Sequence, residues 1–311
     1  MKVFNNLLEV KKDKNTVLTL GTFDGIHLGH KKIIDAVVEK ASVNGGRSLL
    51  ITFDPHPRNV LSDNSIKLLN SPAEKLELLK SLNIDDVLVI NFTKEFSQLS
   101  SEEFFKSYII DKIGIREIVV GYDHHFGKGR VGDEHTLKEL GSKYGFSVTK
   151  VDAVSIDGIN VSSSKIRNAI TEGDIKTANK LLGRHYSIRG MVIKGDGRGR
   201  TLGFPTANVK LDDETKLLPA LGIYAVEIII GGGRHFGLMS IGKRPTFYND
   251  GYITNEVYIF DFDKDIYGNN VTVNILERIR GEEKFSSPDE LINQMNKDKI
   301  IGLEIVNKFT R

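Results

Sequence analysis

The feature that most constrains the fold is a change of periodicity near residue 184. Before it, short apolar runs alternate with stretches whose apolar residues recur at helical spacing, which predicts βαβ units around a parallel sheet. Strands are expected at residues 17–20, 49–53, 87–92, 118–120 and 146–154. Helices are expected after the first strand and from near Pro72, Ser101 and Asp133.

From about Tyr186 the chain consists of strand-like segments separated by Gly, Asp and Asn turns, which predicts a small antiparallel β-barrel. A helix then closes the chain, since Ser287, Pro288 and Glu290 form a capping-box signature. The 311 residues are enough for two domains. We therefore predict an open α/β domain at residues 1–183 and a barrel with a C-terminal helix at residues 184–311.

Composition excludes several classes of protein. The net charge of +2 argues against a broad nucleic-acid interface, which needs a strongly basic face. The absence of cysteine excludes disulfides and thiolate zinc sites. The N-terminus lacks the apolar core of a signal peptide, and no run approaches the roughly 18 apolar residues of a membrane span. We expect a cytoplasmic protein without nucleic-acid or membrane partners.

The sharpest motif is GTFDGIHLGH at residues 21–30, between the first strand and the first helix. Its glycines allow a ligand close to the backbone, and a helix N-terminus offers N–H groups to phosphate. His27 and His30 are three residues apart, so both can donate to triphosphate oxygens from the start of this helix. Zinc binding and a purely structural glycine turn are alternatives, but no third ligand lies nearby and HExxH is absent.

This motif resembles the GxFDxxHxGH signature of the HxGH nucleotidyltransferase superfamily, which implies a Rossmann-like fold and nucleotidyl transfer to a phosphorylated acceptor. Residues 162–167, SSSKIR, are similar to the SSTxIR string of bacterial FAD synthetases. The resemblance implies catalytic roles for His27, His30 and Arg167. It implies ATP contacts from Gly21, Phe23, Asp24, His27, Gly29, His30, Ser162, Ser163, Ser164 and Arg167.

Two further loops, at residues 52–57 and 121–132, resemble those of bacterial FAD synthetases. The resemblance places His56, Asp123 and Phe126 on the flavin side of the site. For His124 and His125, surface loop residues are an alternative of about equal weight. Ligands of open parallel sheets bind at the carboxyl ends of the strands. Since the motif loops follow predicted strands, they are expected to meet at one nucleotide site.

The second motif is GDGRGRTLGFPTAN at residues 195–208. It is not a Walker A loop, because the chain contains no Gly-Lys-Ser/Thr triplet. A glycine loop with Arg198 and Arg200 can wrap polyphosphate. On an extended segment Thr206 and Asn208 face the same way and offer two hard oxygens to Mg²⁺. A hairpin loop with solvated arginines is the alternative.

This string resembles the riboflavin kinase motif that ends in PTAN, and residues 186–190, 222–224, 242–247 and 280–285 follow that family in order. Glu256 matches the strand that carries the family's catalytic glutamate, and a base suits the neutral hydroxyl of riboflavin. A solvent-facing strand glutamate is the alternative. One departure is Ser240, where the family usually has Asn. The resemblance implies ATP contacts from Gly195, Gly197, Arg198, Gly199, Arg200, Pro205, Thr206 and Asn208, with metal at Thr206 and Asn208.

The two resemblances together imply ATP-dependent phosphorylation of riboflavin to FMN and Mg²⁺-dependent adenylylation of FMN to FAD. Riboflavin, FMN, FAD, ATP, ADP and pyrophosphate are the expected ligands, and weak self-association is left open. The main alternative is an FMN adenylyltransferase whose kinase module binds flavin but is inactive. Another HxGH nucleotidyltransferase and a flavin-sensing RNA-binding regulator are weaker alternatives, since the barrel and the lack of a basic aromatic stripe disfavour them.

Overall fold

The computed structural model describes residues 1–195, 197, 199, 202–244 and 252–309. The chain divides into two compact units, Met1–Ser163 and Ser164–Arg311. The predicted domain boundary, between residues 183 and 184, lies further along the chain than the division between these two units. The division into domains at residues 1–183 and 184–311 stays a prediction.

The first unit is built on a parallel sheet. In the described residues its strands are β1 (Lys2–Phe4), β2 (Val17–Leu20), β3 (Ser48–Asp54), β4 (Asp86–Asn91), β5 (Glu117–Gly121) and β6 (Ser147–Val151). Their spatial order is β1-β4-β3-β2-β5-β6. All four residues of β2 are buried, as expected for a strand covered on both faces. From β2 the chain continues to β3 and β4 on one side of the sheet, and from β5, the neighbour of β2 on the other side, it continues away to β6. A topological switch point therefore lies between the carboxyl ends of β2 and β5.

Helices cover this sheet, and their starts follow from local sequence. They are α1 (Leu28–Val43), α2 (Pro57–Leu61), α3 (Pro72–Lys80), α4 (Ser101–Phe104), which continues as a π-helix at Phe105–Ile113, and α5 (Glu134–Tyr144). Ser71 and Glu74 form a complete capping box at α3. The apolar stripe of α1 is buried through Ile34, Val37 and Ala41. A small hairpin of β7 (Ser155–Ile156) and β8 (Ile159–Asn160) follows β6.

The second unit is a closed antiparallel barrel with helices. It contains α6 (Ser163–Glu172, all but its first residue), α7 (Ile175–Leu182) and the C-terminal α8 (Pro288–Val306). Its strands are β9 (Tyr186–Ile193), β10 (Thr206–Leu211), β11 (Gly222–Ile230), β12 (Gly233–Arg244), β13 (Tyr252–Ile259) and β14 (Asn270–Arg280). They close in the order β10-β13-β12-β11-β14-β9.

Buried side chains fill the barrel and fasten its helices. Tyr186 and Tyr224 are almost fully buried, and Ile305 and Val306 of α8 pack with Leu276 of the barrel wall. On α7, the Asn179 amide donates to the Ile275 carbonyl at 2.9 Å and accepts from the Tyr186 N–H at 2.7 Å. Both helices are therefore integral parts of this unit.

The predicted architecture is confirmed: a Rossmann-like α/β unit precedes a small antiparallel barrel with a C-terminal helix. The capping box predicted at α8 forms only in part. Ser287 caps the helix by accepting from the Glu290 N–H, but the Glu290 carboxylate accepts from the Ser286 N–H instead of the Ser287 N–H. The sequence also missed β1 and the β7–β8 hairpin.

Candidate active sites

The loop between β2 and α1 has an unusual backbone, which reflects the glycine-rich motif. Phe23 and Ile26 have positive φ angles of 47° and 37°, and Gly25 has a φ of 92°. A non-glycine residue in this region costs on the order of 1–3 kcal/mol and persists only where the surroundings enforce it. Residues 21–30, here called the ATP loop, must therefore be held by contacts from other elements.

Asp24 supplies much of that restraint from a buried position, with 2% of its surface exposed. Its carboxylate accepts from the Leu69 N–H at 2.9 Å, and its carbonyl accepts from the Ser163 hydroxyl at 2.8 Å. The motif aspartate therefore fixes the loop to the segment before α3. Ser163 is a member of the predicted SSSKIR string. It contacts the ATP loop through this hydrogen bond to Asp24, and both residues belong to the first unit.

The two motif histidines lie together at the start of α1. Their rings stack with centroids 3.7 Å apart at 12°, and the His27 Nδ1 caps the helix by accepting from the His30 N–H at 3.2 Å. In the neutral imidazole this contact leaves the proton of His27 on Nε2. The Phe23 ring lies 5.0 Å from that of His30. A Cβ on Gly29 would approach the His27 ring to 3.2 Å, so this position favours glycine.

A lysine that the sequence analysis did not select lies beneath the ATP loop. The Lys75 ammonium, on α3, donates to the Thr22 carbonyl at 2.8 Å and to the Thr52 hydroxyl at 3.3 Å. Burial lowers the pKa of Lys75, while the charges of Asp24 and Asp54 oppose that shift. A lysine on an amphipathic helix reads as a surface residue, so only the tertiary structure reveals these contacts.

The remaining predicted ATP contacts come from the strings at residues 21–30 and 162–167, and they are divided between the two units. Gly21 lies at the end of β2, and a Cβ there would come within 3.3 Å of the Phe23 ring. Ser162 belongs to the first unit, whereas Ser164 and Arg167 lie on α6 in the second unit. The roles of Ser162, Ser164 and Arg167 towards ATP stay predictions.

The predicted flavin-side residues have different surroundings. His56 caps α2, accepting at Nδ1 from the Arg58 N–H at 3.1 Å, just after the cis Asp54–Pro55 bond. Asp123 is exposed in the turn after β5. Phe126, by contrast, is 5% exposed and packs against Phe105 with ring centroids 5.2 Å apart. This position suits a residue that stabilises the loop after β5 by packing in the hydrophobic core.

At the second site, the predicted functional side chains Thr206, Asn208 and Glu256 lie together on the outer face of the barrel. Asn208 of β10 is in register with Glu256 of β13, and the Thr206 hydroxyl donates to a Glu256 carboxylate oxygen at 3.1 Å. Asn255 and Val257, the neighbours of Glu256, are buried, so alternation turns Glu256 outwards. Ser240 of β12 is also in register with Glu256, a proximity that spacing alone could not show.

Glycines of the second motif pack closely against these side chains. A Cβ on Gly195 would come within 2.2 Å of the Asn208 Nδ2, and one on Gly199 within 2.3 Å of the Phe204 carbonyl and 3.2 Å of the Thr206 Oγ1. Gly197 has a positive φ of 70°. Exposed Pro205 leads into β10. The predicted phosphate contacts Arg198 and Arg200 lie outside the described residues, as do residues 245–250.

The segment after β14 is also fixed near this site. The Glu282 carboxylate accepts from the Lys243 N–H at 3.1 Å, which joins the segment to the end of β12. Arg280 is held by Asp298 of α8, with a closest contact of 2.8 Å. No group of three or more His, Asp or Glu side chains arranged to hold a metal occurs in the described part of the chain.

Two family models match the two parts of the chain that contain the two motifs. Residues 9–165 match the family FAD synthetase, and residues 182–306 match the family riboflavin kinase. The bifunctional riboflavin kinase/FMN adenylyltransferase of Listeria monocytogenes is 40% identical over 289 residues, covering 92% of this chain and 91% of its own. The chain belongs to the bifunctional riboflavin kinase/FMN adenylyltransferase family.

Two further proteins are similar to nearly the whole chain. The Bacillus subtilis protein of the same name is 38% identical over 294 residues, with 93% and 92% coverage. A crystal structure from Streptococcus pneumoniae, described as a macrolide-efflux protein, superposes with a TM-score of 0.86 at 35% identity, with 95% and 96% coverage. Within the described residues of the present chain, no helix is both long and apolar enough to span a bilayer.

As a member of this bifunctional family, the chain is both a riboflavin kinase and an FMN adenylyltransferase. It phosphorylates riboflavin to FMN with ATP and adenylylates FMN to FAD. Riboflavin, FMN, FAD and ATP are its substrates and products. The two activities are the ones implied by the two motifs.

Proposed function

We propose that residues 1–183 carry adenylyl transfer and residues 184–311 carry phosphorylation, each through the motif residues described above. The contact between Thr206 and Glu256 carries the kinase half of this proposal, because it joins a hydroxyl and a carboxylate from strands that are far apart in sequence but paired in the barrel. The stacked His27 and His30 rings at the start of α1 support the adenylyl half.

Adenylyl transfer needs little proton movement. A phosphate oxygen of FMN attacks the α-phosphorus of ATP, and pyrophosphate leaves with the electron pair of the broken bond. Positioning and charge stabilisation dominate such reactions. His27, His30 and the N–H groups at the start of α1 would stabilise the transferred charge, and Arg167 is proposed to add a cation.

Phosphorylation differs because the nucleophile is a neutral hydroxyl. Glu256 would take the proton of the 5′-hydroxyl of riboflavin as its oxygen attacks the γ-phosphorus of ATP, and ADP would leave. The Thr206 hydroxyl, which donates to Glu256, orients this carboxylate. Because Gly195 and Gly199 lack side chains, the backbone of the glycine loop approaches Asn208 and Thr206 closely, so its N–H groups would lie near a phosphate bound there.

We also propose that Mg²⁺ serves both reactions together with ATP. At the kinase site the donor set fits this cation, since Thr206 and Asn208 offer hard oxygens and Thr206 points its proton at Glu256, which leaves hydroxyl lone pairs for a metal. Mg²⁺ commonly binds through few protein ligands plus substrate phosphates. When bound, it would neutralise charge on the polyphosphate.

The cellular setting is proposed from the same chemistry. Both reactions consume ATP, which supports a cytoplasmic location, and ADP and pyrophosphate are the released products. Neither a nucleic acid nor a membrane is proposed as a partner.

A pair of variants in the full chain tests this division. His30→Ala should lower FAD formation by roughly 10²–10³-fold, the scale of losing one preorganised donor, and leave riboflavin phosphorylation unchanged. Glu256→Gln should lower phosphorylation by about 10²–10⁴-fold and leave FAD formation from supplied FMN unchanged. Both products are measured by chromatography. An equal fall of both activities in either variant would refute the division.

A further inference from the structure

We propose that Lys75 is a positioning residue for adenylyl transfer, holding the ATP loop against the strand that leads to the flavin-side loop. The proposal rests on the proposed assignment of adenylyl transfer to residues 1–183. It concerns a residue outside both sequence motifs, one that acts through the backbone of the ATP loop.

The first observation is the point at which Lys75 contacts the ATP loop. Its ammonium donates to the carbonyl of Thr22, the residue immediately before the positive φ of Phe23. The Thr52 hydroxyl donates to the same carbonyl at 3.1 Å. The loop therefore leaves β2 with this peptide clamped from two elements, directly before its strained turn.

The second observation is that Lys75 joins the two sides of the site. Besides Thr22 it donates to the Thr52 hydroxyl on β3, and two residues further along that strand is Asp54, whose charge acts on the ammonium. Asp54 leads through the cis bond to His56, the predicted flavin-side residue. One half-buried cation thus connects the ends of β2 and β3, the strands from which the ATP and flavin loops depart.

The third observation is that the helix carrying Lys75 is itself well anchored. Ser71 and Glu74 form the capping box at its start, and the preceding Leu69 N–H donates to Asp24 of the ATP loop. Lys75 follows this box directly. Because this helix is anchored, the ammonium of Lys75 has a better defined position than the ammonium of a lysine on a flexible surface segment.

The contacts of Lys75 should affect the rate of adenylyl transfer. In-line attack requires the FMN phosphate and the ATP α-phosphorus to be held in register, and a misplacement of about 1 Å can cost on the order of 10²-fold in rate. Removing Lys75 should let the ATP loop relax relative to β3. The turnover of FAD formation should fall more than substrate binding does.

The test compares Lys75→Met with Lys75→Arg and with Lys80→Met, a matched control on the exposed end of the same helix. Lys75→Met should lower kcat for FAD formation by about 10²-fold, with KM for ATP and FMN within threefold of wild type. Riboflavin phosphorylation should not change. Lys75→Arg, which keeps a donor and a charge, should recover at least a tenth of wild-type turnover, and Lys80→Met should behave as wild type.

Several outcomes would overturn the proposal. Lys75→Met retaining more than a third of wild-type kcat would do so, as would a rise in KM for ATP at unchanged kcat, which indicates ground-state binding instead. If Lys75→Met loses both activities through misfolding, Lys75→Gln decides: wild-type FAD formation in that variant overturns the proposal, and a selective fall supports it. A fall of phosphorylation alone would instead refute the assignment of activities to the two parts of the chain.

Discussion

Gly195→Ala isolates the packing of the glycine loop on Asn208. The new methyl carbon would lie 2.2 Å from the Asn208 Nδ2 and 2.6 Å from its Cγ. To reach an ordinary contact of 3.4 Å, the amide must retreat by about 1.2 Å, the difference between the two distances. The backbone of Gly195 does not have a positive φ, so the substitution adds no conformational strain there.

This displacement gives the expected magnitude. Since Asn208 is the proposed partner of Mg²⁺ and ATP phosphates, moving its amide by about 1 Å should lower riboflavin phosphorylation on the order of 10²-fold. The Mg²⁺ concentration for half-maximal activity should rise as well. FAD formation from supplied FMN should be unaffected, because its proposed residues lie elsewhere in the chain.

The assay follows FMN formation from riboflavin and ATP across a Mg²⁺ series, with FAD formation measured on the same preparation. Gly281→Ala is the matched control, since its Cβ would meet nothing closer than the Arg278 Nη2 at 3.5 Å, an ordinary contact. If Gly195→Ala kept more than a third of wild-type phosphorylation at every Mg²⁺ concentration, the assignment of Asn208 to the kinase site would be wrong.

Three further predictions concern the division of the chain, the metal and stability. A fragment of residues 184–311 should make FMN and no FAD. A fragment of residues 164–311 should melt at a higher temperature than the 184–311 fragment, because it keeps the two hydrogen bonds between Asn179 and the barrel. FAD formation by either fragment would contradict the division. EDTA should stop both reactions and added Mg²⁺ should restore both, whereas stoichiometric zinc in the purified protein would contradict our reading of His27 and His30. Asp298→Ala should lower the free energy of unfolding by about 3 kcal/mol in urea, because it leaves Arg280 without its buried partner; a change below about 1 kcal/mol would show that the pair is not effectively buried.

Much of the fold follows from local signals in the sequence. The apolar run of β2 and the stripe of α1 predict these elements because both are buried against a core that requires them. In contrast, β1 is a short edge strand that is not fully buried, so it has no distinctive pattern. The β7–β8 hairpin has two residues in each strand, which is too short for any periodicity.

The candidate sites were predictable as strings but not as contacts. Thr206 and Asn208 are marked by their motif, whereas the register that places Ser240 opposite Glu256 depends on how β12 and β13 pair. Lys75 gives no local signal, because its partners Thr22 and Thr52 are separated from it by 53 and 23 residues. Such long-range contacts depend on strand order, which a single sequence does not encode locally.

The closed barrel has a consequence for synthesis on the ribosome. Strand β14 pairs with both β9 and β11, and its Asn270 lies opposite Met191. The ring therefore cannot close until the chain has been translated to about residue 280. Until then β9 and β11 each keep an unpaired edge, and such edges recruit other strands. A ribosome that stalls between β13 and β14 would release a chain prone to aggregation even though Thr206, Asn208 and Glu256 have all been made.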